Sequence, residues 1–377
     1  MAQARTIGEA WAASKSAGNN FDAIRFIAAA LVIFSHSFEM NGGARADEPL
    51  EIISGQISFG ELAVLVFFAV SGFLIAKSWT ARPRLADFAR NRALRIMPAL
   101  IACVVILALV AGPLLTSLSP AAYFSDARLS CFLLNAAFVS TCGTLPGVFG
   151  EGLANAPLWT LAFEAQCYAL VAGLGMVRLL KPAVCVALAV ALMIAGACGA
   201  AAGFGGAYLY KLSVLAPPFM TGAAFAVLAD RTPLDHRLAG VSALVLLVSV
   251  FSGTLVAAFA IFGVYLVLWA AFAPLGAAMK AVGARGDFSY GLYLWGWPVQ
   301  QTVAQLVGGG PALNFCLSLP IAFALAVLSW RLLEAPALAL KAGPARMLNF
   351  RKPPALTLRP PFSPAPSQSG RSNSENC

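Results

Sequence analysis

The chain holds two histidines, and His36 lies inside the apolar run FDAIRFIAAALVIFSHSFEM (residues 21–40) with Arg25 eleven positions before it. On an α-helix that interval advances roughly 16 Å and closes about three turns, so both side chains share a face, one near each end. An imidazole can take up and return a proton near neutral pH, and a guanidinium can clamp a phosphate through paired hydrogen bonds. Taken singly, Arg25 also reads as a snorkelling anchor and His36 as a histidine satisfied by a neighbour. Their common face favours a function that joins the two leaflets.

Three further stretches carry polar chemistry. PLWTLAFEAQCYAL (157–170) sets Glu164 in an apolar helix, where a carboxylate is costly without a partner. The expected partner is His36 in the same half of the membrane, with Glu164 orienting the imidazole and the second ring nitrogen acting as base. A purely structural Glu–His pair is the alternative. RNRALRIMPAL (90–100) puts Arg92 and Arg95 three apart on one helix face, suited to the phosphates of a donor at the cytoplasmic side, although inner-side basic charge explains part of it. SYGLYLWGWPVQQ (289–301) offers Tyr293, Trp297 and Gln300, which could line a sugar-sized cavity or anchor at the interface. Ser71, in FFAVSGFLI (67–75), stands mid-helix beside Gly72, where small residues let helices approach closely. The eight cysteines show no metal-ligand spacing, and no metal site is expected.

These residues must be held by membrane helices. The 377 residues are 60% hydrophobic and 11% charged with mean hydropathy +0.80, against about 25% charged in a soluble domain. The fold class is an all-α integral membrane protein, with about ten spans at 23–41, 58–77, 96–116, 158–177, 182–202, 212–229, 238–254, 256–276, 288–307 and 313–333. With both termini cytoplasmic, only Arg45, Arg128 and Lys211 of the 25 lysines and arginines fall outside. The net charge of +9 is thus explained by topology, and no nucleic-acid partner is expected. Residues 1–20 read as a cytoplasmic N-terminal segment without the apolar core of a signal peptide. Residues 21–340 form the ten-helix membrane domain. Residues 341–377, rich in Pro, Ser and Arg, read as a disordered basic cytoplasmic tail, with no appended soluble domain. Loop 118–156 is the one sizeable outer loop and the place for acceptor contacts; its CFLLNAAFV is too short to cross and lies at the interface or re-enters. Cys131 and Cys142 share this loop and could pair, but a straight helix would hold them too far apart.

The motifs FDAIRFIAAALVIFSH, FFAVSGFLI, RNRALRIMP, PLWTLAFEAQCY, FMTGAAFAVL, SYGLYLWGWPVQQ and WRLLEAPAL occur in this order along residues 20 to 340. Together they resemble the membrane acyltransferase-3 family, which includes O-antigen and exopolysaccharide O-acetyltransferases. The resemblance implies a ten-span bacterial inner-membrane enzyme that moves an acyl group from cytoplasmic acyl-CoA to a hydroxyl of a glycan, glycolipid or glycoside on the outer side. It makes His36 the catalytic base, Glu164 its acidic partner, and Arg25, Arg92 and Arg95 donor contacts. Acyl-CoA, most simply acetyl-CoA, is a co-substrate and no cofactor is held. The implied partners are a glycan or lipid-linked sugar acceptor, membrane lipids and the polysaccharide-assembly machinery. Gly296 departs from the pattern, because many relatives carry histidine there. Transfer could be direct or pass through a covalent intermediate on His36 or Ser71. A proton-coupled transporter or flippase using His36 and Glu164 is the rival from another class, and a non-catalytic membrane subunit is a third.

Overall fold

A computed structural model describes residues 5–138, 142–203, 206–284 and 286–342. The described residues are helical, joined by turns and loops. The principal helices are α1 (Ile7–Ala17), α2 (Phe21–His36), α3 (Phe59–Ala81), α4 (Leu85–Leu115), α5 (Ala127–Leu133), α6 (Trp159–Met176), α7 (Pro182–Ala202), α8 (Gly206–Val227), α9 (His236–Ser252), α10 (Leu255–Phe272), α11 (Ala277–Ala284), α12 (Ser289–Leu306) and α13 (Pro311–Ala339). A helix underlies every apolar run expected to span. Six of the described stretches are long and apolar enough to cross a membrane: Phe21–Met40, Phe59–Ala81, Leu85–Leu115, Pro182–Gly199, Leu255–Phe272 and Pro311–Ala339. The main compact unit runs to Leu338. The expected tail lies, apart from Lys341 and Ala342, outside the described residues.

Local chemistry sets several boundaries. Thr6 and Glu9 form a reciprocal capping box at the start of α1, whose first amides donate to Thr232 and Ala229 oxygens at 2.9 and 2.8 Å. Ser58 and Glu61 repeat the box at the start of α3. α4 begins at Leu85, earlier than hydropathy suggests, so Arg92 and Arg95 are helical residues. Single π-turns at Leu107–Ala111, Phe259–Gly263 and Trp330–Glu334 interrupt α4, α10 and α13.

Two glycines permit the crossing of α3 and α8. A Cβ on Gly72 would sit 1.9 Å from the Phe219 carbonyl oxygen, and one on Gly222 would sit 2.3 Å from that of Ala69. Backbone meets backbone here, so no side chain can give way. Around the crossing, Phe68, Phe73, Phe219 and Met220 form a fully or nearly fully buried core.

The segment expected as the outer loop folds back onto the bundle. α5 and the 3-10 turn Leu134–Ala137 lie on α4, burying Phe132 completely. Phe138 then takes a left-handed conformation (φ 58°). Cys131 and Cys142 lie 5.8 Å apart Cα to Cα and form a disulfide. The straight-helix expectation fails because the helix stops at Leu133. Beyond the bridge, residues 153–160 run down α12: Trp297 Nε1 donates to the Leu153 oxygen (2.7 Å), Asn155 Nδ2 to the Leu294 oxygen (3.0 Å), and the Thr160 and Tyr293 hydroxyls meet at 2.6 Å. α6 therefore starts below the level at which its loop begins.

Gly72→Leu or Gly222→Leu is expected to cost about 3 kcal/mol or to prevent folding, read as lowered thermal stability in detergent, whereas Gly240→Leu, where a Cβ meets nothing, changes little. A non-reduced proteolytic digest should yield a Cys131–Cys142 cross-linked peptide, and the double serine variant should lose about 2 kcal/mol of stability.

Candidate active site

The polar interior begins with Asp287, two residues before α12. Its carboxylate pairs with both Arg25 of α2 and Arg95 of α4, and its Oδ1 accepts from the Ser289 hydroxyl and, at 3.2 Å, from the Ser289 amide. Arg95 also binds Glu334 of α13 at 3.0 Å and lies over the rings of Tyr290 and Trp330. Glu334 is fully buried and accepts from the Ser329 hydroxyl at 3.0 Å. Its carboxylate closes the π-turn of α13. Arg25 and Arg95 are thus bound within the protein. Among the described residues, Arg92 makes no ion pair, and its buried Nε has no hydrogen-bond partner.

Two small adjoining cavities, of about 40 and 70 Å³, share Arg25, Ser71, Glu164 and Tyr290 as walls. Tyr293 and Thr160 line the first, and Arg92, Arg95 and Tyr168 the second. Glu164 Oε1 accepts from the Ser71 hydroxyl at 2.8 Å and from the Tyr168 hydroxyl at 2.5 Å. Two hydroxyls on one oxygen replace water around this carboxylate and fix its direction.

His36 lies elsewhere. Its Nδ1 is 3.4 Å from Glu39 Oε1 but makes no hydrogen bond, and its ring meets Trp297 edge-on at 4.8 Å. The expected His36–Glu164 pair is therefore corrected: the carboxylate beside His36 is Glu39, in the 3-10 turn that follows α2. The reason is depth. Ser35 touches α3 at Gly60, whereas Glu164 meets α3 at Ser71, eleven residues and roughly 16 Å further along it. Because loop 142–158 descends before α6 begins, Glu164 reaches the Arg25 end of the bundle.

Of the other expected site residues, Ser71 and Tyr293 line the interior cavities. Trp297 packs on His36. Gln300 is fully buried and holds structure instead of lining a cavity: its Nε2 donates to the Ile33 oxygen (2.7 Å), Ser37 Oγ (2.9 Å) and Asn314 Oδ1 (3.2 Å). These bonds grip the last turn of α2, where His36 sits. Sequence reasoning passed over Asp287, Glu334, Tyr168 and Glu39. Asp287 and Glu334 were findable, since an acid at the edge of an apolar run requires a partner just as Glu164 does.

The geometry joins a cation-rich cluster at the Arg25 end of α2 to an imidazole at its other end. Arg25 faces Asp287 and His36 faces Trp297, so α2 and α12 run parallel. Tyr290 to the Ile96 oxygen and Cys103 to the Leu294 oxygen make α4 parallel to α12 as well.

Asp287→Asn leaves two guanidiniums short of their shared counter-charge and is expected to cost about 3–5 kcal/mol, measured as lost thermal stability. Gln300→Ala should cost about 1–3 kcal/mol and lower turnover more than substrate affinity, because it unpins the turn that carries His36. A normal turnover in a well-folded Gln300→Ala protein would contradict that positioning role.

A family model described as an acyltransferase domain matches residues 19–331. The chain is 28% identical over 338 residues to O-acetyl transferase of Shigella phage Sf6, an alignment covering 84% of this chain and 95% of the relative. It is 30% identical over 353 residues to Nodulation protein 10 of Rhizobium leguminosarum bv. viciae, covering 86% and 94% respectively. No solved structure matches it. On the family match and the ordered motifs, the chain is an acyltransferase and belongs to the membrane acyltransferase-3 family.

Proposed function

We propose that the protein is an O-acetyltransferase of the bacterial inner membrane that moves acetyl from cytoplasmic acetyl-CoA to a hydroxyl of a glycan, glycolipid or glycoside on the outer side. The observation that carries this reading is the separation of Arg92, whose guanidinium forms no ion pair among the described residues, from the His36 imidazole, whose Nδ1 makes no hydrogen bond and has Glu39 alongside, at opposite ends of one bundle. The name of the Shigella phage relative supports acetyl as the group transferred. A ten-span topology with both termini inside is supported by helix direction. The parallel packing of α2, α4 and α12 agrees with spans one, three and nine all running outward, and the excess of inner basic residues agrees with it.

In this reading Arg92 takes the donor phosphates, while Arg25 and Arg95, committed to Asp287 and Glu334, fix the walls around it. The pantetheine arm enters past Arg92 and Tyr168; cavities of about 40 and 70 Å³ require those side chains to move aside. His36 removes the proton from the acceptor hydroxyl as that oxygen attacks the thioester carbonyl. The C–O bond forms, the C–S bond breaks, and the imidazolium returns the proton to the leaving thiolate. Glu39 stands where it can steady the imidazolium. Glu164, with Ser71 and Tyr168, supplies negative potential beside the guanidiniums and takes no direct part in the proton transfer.

Purified protein in nanodiscs, given radiolabelled acetyl-CoA and a crude glycan-lipid extract, tests this. His36→Ala should lower acceptor-dependent transfer by about 10²- to 10⁴-fold with acetyl-CoA binding intact. Arg92→Ala should raise the KM for acetyl-CoA by roughly tenfold, with Arg92→Lys recovering part of the loss. Failure of the wild type to bind acetyl-CoA or transfer label would sink the reading.

A further inference from the structure

Away from the interior site, the first turn of α6 separates two larger cavities. One, of about 450 Å³, is walled by Trp159, Phe163, Tyr208, Asn135, Asn155 and Lys211 among others. The second, of about 280 Å³, lies across Trp159 and Lys211 and is bordered by Arg45 and Glu61. Their charge differs. Arg45 is paired with Glu51 and Glu61, so the smaller cavity brings its own counter-ions. In the larger one, Lys211 is the sole charged side chain among the described lining residues. Its Nζ stands 4.3 Å from the centroid of the Trp159 ring. No carboxylate of the described residues forms an ion pair with it.

The walls suit a pyranose ring. Trp159 and Phe163 meet edge to face at 5.6 Å, and Phe163 and Tyr208 lie 5.1 Å apart at a 33° tilt, giving an apolar aromatic surface for C–H faces of a sugar. Beneath them Asn155 is 1% exposed, and its Oδ1 has no hydrogen-bond partner. Its Nδ2 donates to the Leu294 oxygen, which fixes this polar corner of the cavity wall against α12. The cavity also touches the reaction centre through the backbone: Leu153, in its lining, accepts from Trp297, whose ring packs on His36.

We propose that this cavity is the acceptor subsite and that it takes an acidic saccharide, with a sugar-borne carboxylate or phosphate paired to Lys211 and the ring against Trp159 and Tyr208. The inference rests on the outward-facing acyl transfer proposed above, and names the class of acceptor that reading leaves open. Lys211 forms no ion pair with a carboxylate of the described residues, and Glu61, which borders the adjoining cavity, is taken by Arg45.

Binding is tested without catalysis, using the full chain in phosphatidylcholine nanodiscs. Methyl glucuronide, glucose 6-phosphate and the neutral methyl glucoside are titrated at millimolar concentrations by ligand-observed NMR. At least one of the two acids should bind roughly tenfold tighter than the neutral glycoside, the order expected of a charge-assisted contact. Which acid prevails distinguishes carboxylate from phosphate. Lys211→Ala should erase the preference, Lys211→Arg should keep it, and acetyl-CoA binding should be unchanged in both. Equal or undetectable binding of all three sugars to the wild type, or a preference that survives Lys211→Ala, overturns the proposal and leaves Lys211 to the lipid headgroups. A Lys211-dependent preference in a protein that transfers no acetyl group would uphold the subsite while refuting the reaction.

Discussion

One carboxylate, Asp287, holds the Arg25 end of the bundle together. It is shared by Arg25 and Arg95, which come from different helices, and Arg95 extends the chain to Glu334 on a third. Each of these charges would be expensive alone in an apolar surround, and each is made tolerable by the others. The arrangement binds α2, α4, the start of α12 and the π-turn of α13 at one point. It also fixes what remains for chemistry. Two of the three guanidiniums are used internally, and Arg92, beside the cavity that Glu164 also lines, forms no ion pair among the described residues.

Steric fit does elsewhere what charge does here. At the crossing of α3 and α8 the absence of two side chains allows the backbones to touch, which aligns Ser71 with Glu164 on the next helix. Ser71 is thus set in position by its neighbour Gly72. At the opposite end of α2, Gln300 donates to the Ile33 carbonyl in the last turn of that helix and to Asn314 Oδ1, while Asn314 donates back to the Gln300 carbonyl. The two ends of α2 are consequently held by unlike forces, ionic at Arg25 and hydrogen-bonding at His36.

Much of this was legible in the sequence. Hydropathy and the bias of basic residues located the helices, and the cost of charge in hydrocarbon marked Arg25, Arg92, Arg95, His36 and Glu164. The depth of Glu164 was hidden because it depends on how residues 142–158 descend along α12, a tertiary path that no local pattern records. Glu164 was given the wrong partner for that reason. Asp287 and Glu334 were missed because topology was read from lysine and arginine alone. Gln300 looked like a cavity residue because an amide in an aromatic-rich helix gives no sign of which backbone carbonyl it meets. The Cys131–Cys142 bridge follows a helix end and a left-handed residue, Phe138, a conformation that phenylalanine seldom adopts and sequence does not announce.

That bridge has a bearing on where the protein can be complete. Cys142 forms part of the wall of the cavity beside Lys211, and its sulfur is tied to α5. Disulfides persist in oxidising compartments and are kept open in reducing cytoplasm. A wall closed by such a bond is complete only where its loop meets an oxidising environment, so the oxidation state of a single loop reports the redox compartment that it faces.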